Sequence, residues 1–151
     1  MLKKSPGLKR LQVWLARAGE AGLITRQELV SMIPPLCLEP TKDDIIFDMC
    51  AAPGSKTSQL LEMVYHDFAK KVDSNLDERA NSSAFIKGAV VCNDVDAKRA
   101  YLLTHQVKRL NTSGMMVTNH AGQLFPTLYN YEAKEDNPEH TKKTKVYFDK
   151  V

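Results

Sequence analysis

The fold of this chain is decided by the segment Asp48-Met49-Cys50-Ala51-Ala52-Pro53-Gly54-Ser55-Lys56-Thr57. The segment begins inside the apolar, β-branched run Ile45–Met49, which is typical of a short buried strand. After the segment, Leu60, Leu61 and Val64 recur at helical spacing, and the Ala-Ala-Pro-Gly turn separates the two patterns. The order predicted is therefore strand, tight loop, helix.

The same order recurs downstream. Ala89–Cys92 predicts a second buried strand, and Asp96–Leu110 carries apolar residues at helical spacing. Met115–Thr118 and Val146–Phe148 are the third and fourth candidate strands. Strands that alternate with helices favour a parallel sheet with right-handed crossovers. We expect an α/β, Rossmann-like fold that stops after about four parallel strands.

The N-terminal part has a different pattern. Leu8–Ala18 predicts an amphipathic helix in which Trp14 is most simply a core residue. Thr25 followed by Glu28 resembles a capping box that opens a second helix, Arg26–Met32. The Pro34-Pro35 pair should end that helix, because a proline disfavours helical geometry at the preceding residue.

The predicted domain organisation follows from these patterns. Residues 1–42 form a helical preface, and residues 43–151 form a partial Rossmann-like cofactor-binding domain. Two stretches rich in polar residues, at about 67–87 and 129–145, are too polar for a core and should be exposed insertions.

Composition excludes several classes of protein. The chain has 151 residues, of which 43% are hydrophobic and 26% are charged. This length and composition are typical of a single globular domain. The net charge of +3 permits binding to nucleic acid without requiring it. Three widely spaced cysteines lack the pairing of a zinc site, so we expect reduced thiols and no metal. Neither a signal peptide nor a membrane-spanning run is present among these residues.

The decisive loop suits an adenosine-type ligand. Small residues let the backbone approach a ligand, Gly54 permits unusual backbone angles, and a helix start offers free N–H groups. Lys56 adds a cation, and Asp94, at the tip of the second strand, is where nucleoside-binding folds place the acid that binds ribose. Asp94 could alternatively be only the N-cap of the next helix.

Two other nucleotide motifs fail on spacing. A dinucleotide fingerprint needs three glycines where this loop has only Gly54, which disfavours a nicotinamide-dependent dehydrogenase. In a Walker loop the lysine follows the glycine directly, whereas Ser55 separates Gly54 from Lys56 here.

The decisive segment resembles motif I of the NOP/Sun family of RNA cytosine-5 methyltransferases. Further segments resemble the tRNA-modifying branch of that family: Leu2–Pro6, Arg26–Glu28, Val30–Leu36, Cys92–Asp96, Lys98-Arg99, Thr104–Leu110, Asn119-His120 and Phe125-Pro126. The resemblance implies the N-terminal part of a catalytic domain, with S-adenosyl-L-methionine as cofactor and RNA, most specifically tRNA, as substrate. It also implies a nuclear or nucleolar, or else cytoplasmic, location and no secretion.

The resemblance also implies roles for single residues. The cofactor's methionine and ribose portions would be wrapped by Cys50, Ala51, Ala52, Pro53, Gly54, Ser55 and Lys56, while its ribose would be held by Asp94. The family usually places an aspartate after Asn119-His120 to contact the adenine amino group, and this chain has Ala121 there. Losing one such hydrogen bond should weaken binding by about 1 kcal/mol.

Family members attack cytosine with a cysteine that follows Thr or Pro, and none of the three cysteines here does so. We therefore expect no catalytic residue among these 151 residues and no methylation by this polypeptide alone. Cys50 is better explained as a packing residue than as a nucleophile. The basic helix residues Lys98, Arg99, Lys108 and Arg109 are either a solvated face or an RNA-facing stripe. The rival hypothesis is a non-catalytic module that binds RNA or a protein.

Overall fold

The computed structural model describes residues 5–74, 88–134 and 137–151. It contains four helices, a short 3₁₀ turn and five strands in two sheets. In chain order the elements are α1 Pro6–Glu20, α2 Leu29–Leu38, β1 Ile45–Asp48, α3 Ser55–Ser74, β2 Ala89–Asn93, α4 Ala97–Lys108, β3 Met115–Thr118, the 3₁₀ turn Gly122–Leu124, β4 Tyr129–Lys134 and β5 Asn137–Lys145.

The main sheet is parallel and has three strands in the order β1-β2-β3. Ile46 pairs with Val90, which in turn pairs with Met115. Helices α3 and α4 make the two crossovers, so the predicted α/β, Rossmann-like class is confirmed. Strand β3 has the predicted bounds, and β2 extends one residue beyond its predicted end.

The expected fourth parallel strand, Val146–Phe148, is not formed. Val146 N instead donates to Leu128 O at 3.0 Å, which continues the pairing of the β4–β5 hairpin. The chain rejoins the main sheet at Asp149 and Lys150: Asp149 N donates to Ile45 O at 2.8 Å, and Lys150 forms an isolated parallel bridge with Ile46. Parallel pairing with β1 therefore begins only after the predicted strand, whose first residue, Val146, pairs with the hairpin instead.

The first predicted insertion is partly helical, because α3 continues to Ser74 and so covers residues 67–74. Residues 75–87 lie outside the described part of the chain. The second predicted insertion, 129–145, corresponds to the antiparallel hairpin formed by β4 and β5.

The prediction that Pro34 ends the second helix is wrong, since α2 continues through both prolines to Leu38. A proline inside a helix lacks the N–H that would bond the carbonyl four residues earlier. For Pro35 that carbonyl belongs to Ser31, and the side chain of Gln27 donates to it at 3.1 Å. A side chain four residues earlier in the sequence thus supplies a donor for the carbonyl that Pro35 leaves without one.

The predicted capping box is also absent. Helix α2 begins at Leu29 after Glu28, whose side chain makes no capping bond. Thr25, the other half of the expected box, has a buried hydroxyl without a hydrogen-bond partner. The helix start is fixed by packing against α3, where Gln59 Nε2 donates to Met32 O at 3.0 Å.

The core lies between the sheet and the helices α3 and α4. Its buried members are Ile46, Ala51, Ala52, Leu60, Leu61, Val64, Val90, Cys92, Leu103 and Val107. Trp14 is not among them: it is 59% exposed, so its interpretation as a core residue is wrong. In α1 only Ala18 is buried, because the helix touches the rest of the fold near its C-terminal end. Among the described residues, no helix is both long and apolar enough to cross a membrane.

Candidate functional site

The candidate site lies where the three parallel strands end. The segments that follow β1, β2 and β3 meet there: Met49–Gly54, Asp94–Asp96 and Asn119–Ala121. Open α/β sheets bind their ligands at this edge. The structure therefore brings the predicted loop and the predicted acid together.

Asn93 holds the three strand ends in place. Its Nδ2 donates to Met49 O at 3.1 Å and to His120 O at 2.8 Å. Its Oδ1 accepts from Thr118 Oγ1 and from His120 N, each at 3.0 Å. The side chain is fully buried and both its donor and its acceptor are used. Sequence reasoning assigned Asn93 no role; the available signal was an amide directly after a buried strand.

Asp94 is turned toward the loop and is 1% exposed. Its Oδ2 accepts from Ala52 N at 3.2 Å, and its Oδ1 accepts from Asp96 N at 3.1 Å. The N-cap of α4 is Asp96, whose side chain accepts from Arg99 N at 2.9 Å. The alternative that Asp94 is only an N-cap is therefore wrong.

Arg99 joins the same group of contacts. Its Nη2 lies 3.5 Å from Asp94 Oδ2 and donates to Ala52 O at 2.6 Å. Arg109, the C-cap residue of α4, donates to the carbonyl oxygens of Gly19 and Gln106. These two arginines of the basic helix thus have structural partners, which argues against an RNA-facing stripe that includes them.

The loop itself is partly buried and partly open. Three loop residues are buried, namely Ala51, Ala52 and Gly54. Cys50, Pro53 and Lys56 are exposed, and Ser55 is intermediate. Ala51 N donates to Asn93 O at 2.8 Å, which fixes the loop to β2. Gly54 has a φ of +105°, and a Cβ there would lie 2.9 Å from Leu103 Cδ1. Only glycine lets the loop pass this close to α4.

Asp48 and Thr57 connect β1 to the start of α3. Thr57 Oγ1 donates to Asp48 Oδ2 at 2.6 Å. The pKa of Asp48 is raised, chiefly by burial and further by the charge of Asp94, while the Thr57 bond and Lys56 oppose the shift. Buried carboxylates are disfavoured because they lose hydration.

The buried Cys92 lacks the environment of an activated nucleophile. Burial, with a contribution from Asp48, raises the pKa of the Cys92 thiol to about 12, so Cys92 stays protonated at neutral pH. Cys37 and Cys50 are exposed. In the described part of the chain no cluster of His, Cys, Asp or Glu could hold a metal ion.

A cavity of about 440 Å³ borders the loop on its helical side. It is lined by the loop residues Pro53, Gly54 and Ser55 together with residues of α1, of the 24–26 segment and of α4. It contains neither Asp94 nor Cys50. We assign the candidate site to the strand ends, because the acid and the free helix start converge there.

Comparison with known proteins identifies this architecture. Residues 35–84 match the family model described as 16S rRNA methyltransferase RsmB/F. The chain is similar to the multisite-specific tRNA:(cytosine-C(5))-methyltransferase trm4b of Schizosaccharomyces pombe. The two are 48% identical over 132 residues, and the match covers 85% of this chain. This chain belongs to the NOP/Sun family.

Other NOP/Sun relatives agree. The multisite-specific tRNA:(cytosine-C(5))-methyltransferase of Saccharomyces cerevisiae is 42% identical over 128 residues, which is 85% of this chain. The tRNA (cytosine(34)-C(5))-methyltransferase of Drosophila melanogaster is 42% identical over 127 residues, or 84% of this chain. The chain spans only 15% to 18% of the length of these three relatives.

Solved structures support the same fold. A methyltransferase homolog protein from Pyrococcus horikoshii is 29% identical to this chain and has a TM-score of 0.51. The match covers 69% of this chain and 28% of the chain of that protein. The protein PH0851 is 25% identical to this chain and has a TM-score of 0.55. The match covers 71% of this chain and 20% of the chain of PH0851. NOP/Sun methyltransferases use S-adenosyl-L-methionine as methyl donor.

Proposed function

We propose that this chain supplies the S-adenosyl-L-methionine-binding part of an RNA cytosine-5 methyltransferase that acts on tRNA. One observation carries the proposal: the carboxylate of Asp94 lies 3.2 Å from the backbone N–H of Ala52, so the acid of β2 and the small-residue loop after β1 share one edge of the sheet. The similarity to named tRNA methyltransferases supports the choice of substrate.

The residues at this edge suit the polar portions of the cofactor. The first N–H groups of α3 have no partner within the helix and can receive a carboxylate, beside the cation of Lys56. Cys50 to Lys56 would wrap the methionine and ribose portions, and Asp94 would accept the ribose hydroxyls. The weakest contact of Asp94 is the 3.5 Å approach of Arg99. The Arg99 side chain is 53% exposed, but moving it aside would break its 2.6 Å hydrogen bond to Ala52 O.

The adenine end departs from the family pattern. Ala121 has no side-chain acceptor for the adenine amino group, and it lies at the start of the 3₁₀ turn without a capping bond. We therefore expect weaker cofactor binding than in a family member with aspartate there, by about 1 kcal/mol.

We propose further that these 151 residues do not methylate RNA by themselves. Attack on cytosine requires a thiolate, and Cys92, with its pKa near 12, remains a buried thiol. Cys50 and Cys37 lack the Thr or Pro that precedes the catalytic cysteines of the family. A nuclear or nucleolar, or else cytoplasmic, location is proposed with this function.

Isothermal titration calorimetry tests the cofactor assignment. We expect saturable heat with S-adenosyl-L-methionine and with its demethylated product, and none with NAD. Absence of heat and of a thermal shift at millimolar cofactor would contradict the proposal. Transfer of tritium from labelled cofactor to tRNA tests inactivity, and incorporation above a protein-free control would overturn that part.

A non-catalytic module is the second candidate, and one observation favours it. Both carboxylate oxygens of Asp94 already have partners within the protein: Ala52 N, Asp96 N and Arg99. If these contacts persist, the ribose has no free acceptor. Under this hypothesis RNA or protein binding would be retained while the calorimetric titration shows no heat.

A further inference from the structure

The β4–β5 hairpin carries a row of tyrosines and lysines that the cofactor site does not use. The backbone register places Tyr129 opposite Lys145 and Tyr131 opposite Lys143. Residues two apart on a strand share a face, so all four side chains lie on one side of the hairpin. Tyr147 lies two residues beyond the end of β5. We call these five residues the Tyr–Lys face.

The rings and ammonium groups of this face contact each other. Lys143 Nζ lies 3.8 Å from the centre of the Tyr129 ring and 5.7 Å from that of Tyr131. Lys145 Nζ lies 4.9 Å from the centre of the Tyr147 ring. Such cation–π contacts hold flexible lysines in place, so the positive charges are presented with less conformational freedom to lose on binding.

The Tyr–Lys face is open to solvent. Tyr129, Tyr131 and Tyr147 are 43%, 59% and 69% exposed, and both lysines are exposed. The register pair between them, Asn130 and Thr144, points to the opposite side of the hairpin and is uncharged. The face therefore joins aromatic surface with positive charge.

This combination selects a class of ligand. Lysines alone would attract any polyanion, and tyrosines alone would suit a peptide. Aromatic rings interleaved with cations are typical of surfaces that bind single-stranded nucleic acid, where bases stack on rings and phosphates contact cations. A duplex keeps its bases stacked inside and offers the rings nothing to stack with.

We propose that the Tyr–Lys face binds single-stranded RNA, with the lysine ammonium groups at phosphates and the tyrosine rings against unstacked bases. The choice of RNA rests on the proposed function. The face would hold an unpaired segment of the substrate beside the methyltransferase fold, since residues 146–150 lead from the hairpin directly to β1.

Fluorescence anisotropy with a short labelled single-stranded oligoribonucleotide of mixed sequence tests this. We expect saturable binding that the same sequence as a duplex competes for poorly. Tyr129→Ala and Tyr131→Ala, tested singly, should each weaken binding between about fivefold and about a hundredfold, the range for loss of one stacked base. Lys143→Gln with Lys145→Gln should lower the slope of log affinity against log salt by about 1.4, or about 0.7 for each phosphate contact.

Matched controls separate the face from general effects. Tyr131→Phe keeps the ring and should bind like the parent, as should Tyr101→Ala, which removes a 75% exposed tyrosine from α4. Lys9→Gln on α1 is the matched lysine control. Circular dichroism confirms that each variant folds.

Three outcomes would overturn the proposal: no binding by the parent, equal binding by the tyrosine variants, or equally effective competition by heparin, which offers charge without bases. The calorimetric titration with the cofactor is independent of all these variants. If the cofactor does not bind in calorimetry but RNA still binds, the proposed function is refuted and the proposal for the Tyr–Lys face is not.

Discussion

The Oδ2 atom of Asp94 accepts a hydrogen bond from the backbone N–H of Ala52 at 3.2 Å. The two residues are 42 positions apart in sequence and belong to the segments that follow neighbouring parallel strands. The contact ties the small-residue loop to the tip of β2 and places the buried carboxylate of Asp94 beside the loop backbone.

Asp94→Asn should impair both the loop and the cofactor site. An amide offers one acceptor oxygen, whereas the carboxylate of Asp94 serves both Ala52 N and Asp96 N. Since hydrogen bonds to charged groups contribute about 1.5–3 kcal/mol, we expect about a tenfold to hundredfold loss of cofactor affinity by calorimetry. Asp96→Asn is the matched control, because asparagine caps a helix as well as aspartate does. Equal affinities in both variants would contradict a role for Asp94.

Asn93→Ala should destabilise the fold more than Asn119→Ala. The Asn93 side chain makes four hydrogen bonds in a fully buried position, so its loss leaves several polar groups of three strand ends unpaired. We expect a decrease of roughly 2–4 kcal/mol in the free energy of unfolding by urea denaturation. Asn119 makes one such bond, to Asp94 O, and should contribute about 1 kcal/mol. Similar losses for the two variants would refute the bridging role.

Ala121→Asp should strengthen cofactor binding. The change restores the acceptor that the family places after Asn119-His120, and one added hydrogen bond corresponds to about fivefold tighter binding in calorimetry. Ala121→Asn is the neutral control and should give a smaller gain. A side chain at Gly122 would require Met49 to move, since a Cβ there would lie 2.6 Å from Met49 Cγ. Unchanged affinity in Ala121→Asp would place the adenine elsewhere.

Cys92 should resist alkylation in the folded protein. Its pKa near 12 leaves almost no thiolate at about pH 8, and the residue is fully buried. Iodoacetamide followed by mass spectrometry of peptides should show modification of the exposed Cys37 and Cys50 first. In guanidinium chloride all three should react. Rapid labelling of Cys92 without denaturant would show that the core between the sheet and α3 opens readily.

Asp48→Asn should alter how stability depends on pH. Because the pKa of Asp48 is raised above 3.8 in the folded state, the folded protein holds this proton more tightly than the unfolded chain. Asp48 therefore lowers the free energy of unfolding of the parent progressively as pH rises from 3.8 through the raised pKa. Above that pKa the contribution of Asp48 no longer changes with pH. Asparagine does not titrate, so the stability of the variant relative to the parent should increase over this window and then level off.

Thermal unfolding at a series of pH values measures this difference. Thr57→Val provides a second check, because it removes the hydrogen bond that favours the ionised form of Asp48. In a Thr57→Val background, the pH range over which Asp48→Asn gains relative stability should then extend to higher pH. A relative stability of Asp48→Asn that stays constant from acid to neutral pH would contradict the raised pKa.

The local patterns of the sequence determined most of the α/β core. Strands β2 and β3 are short apolar runs bounded by polar residues, and α4 has a regular apolar spacing, so each is specified by its own residues. The loop Cys50–Lys56 and the acid Asp94 were recognisable because each follows the end of a predicted strand. The order of the strands follows from the alternation of strand and helix.

Tertiary contacts decided the remainder. Helix α2 continues through both prolines and packs against α3, where Gln59 Nε2 donates to Met32 O at 3.0 Å. The expected fourth strand is displaced because Val146 pairs with Leu128 of the hairpin, a competition between two partners that a single segment cannot reveal. The bridging position of Asn93 and the partners of Asp94 depend on three chain segments meeting at one edge, which is a property of the folded sheet and of no one stretch of the chain.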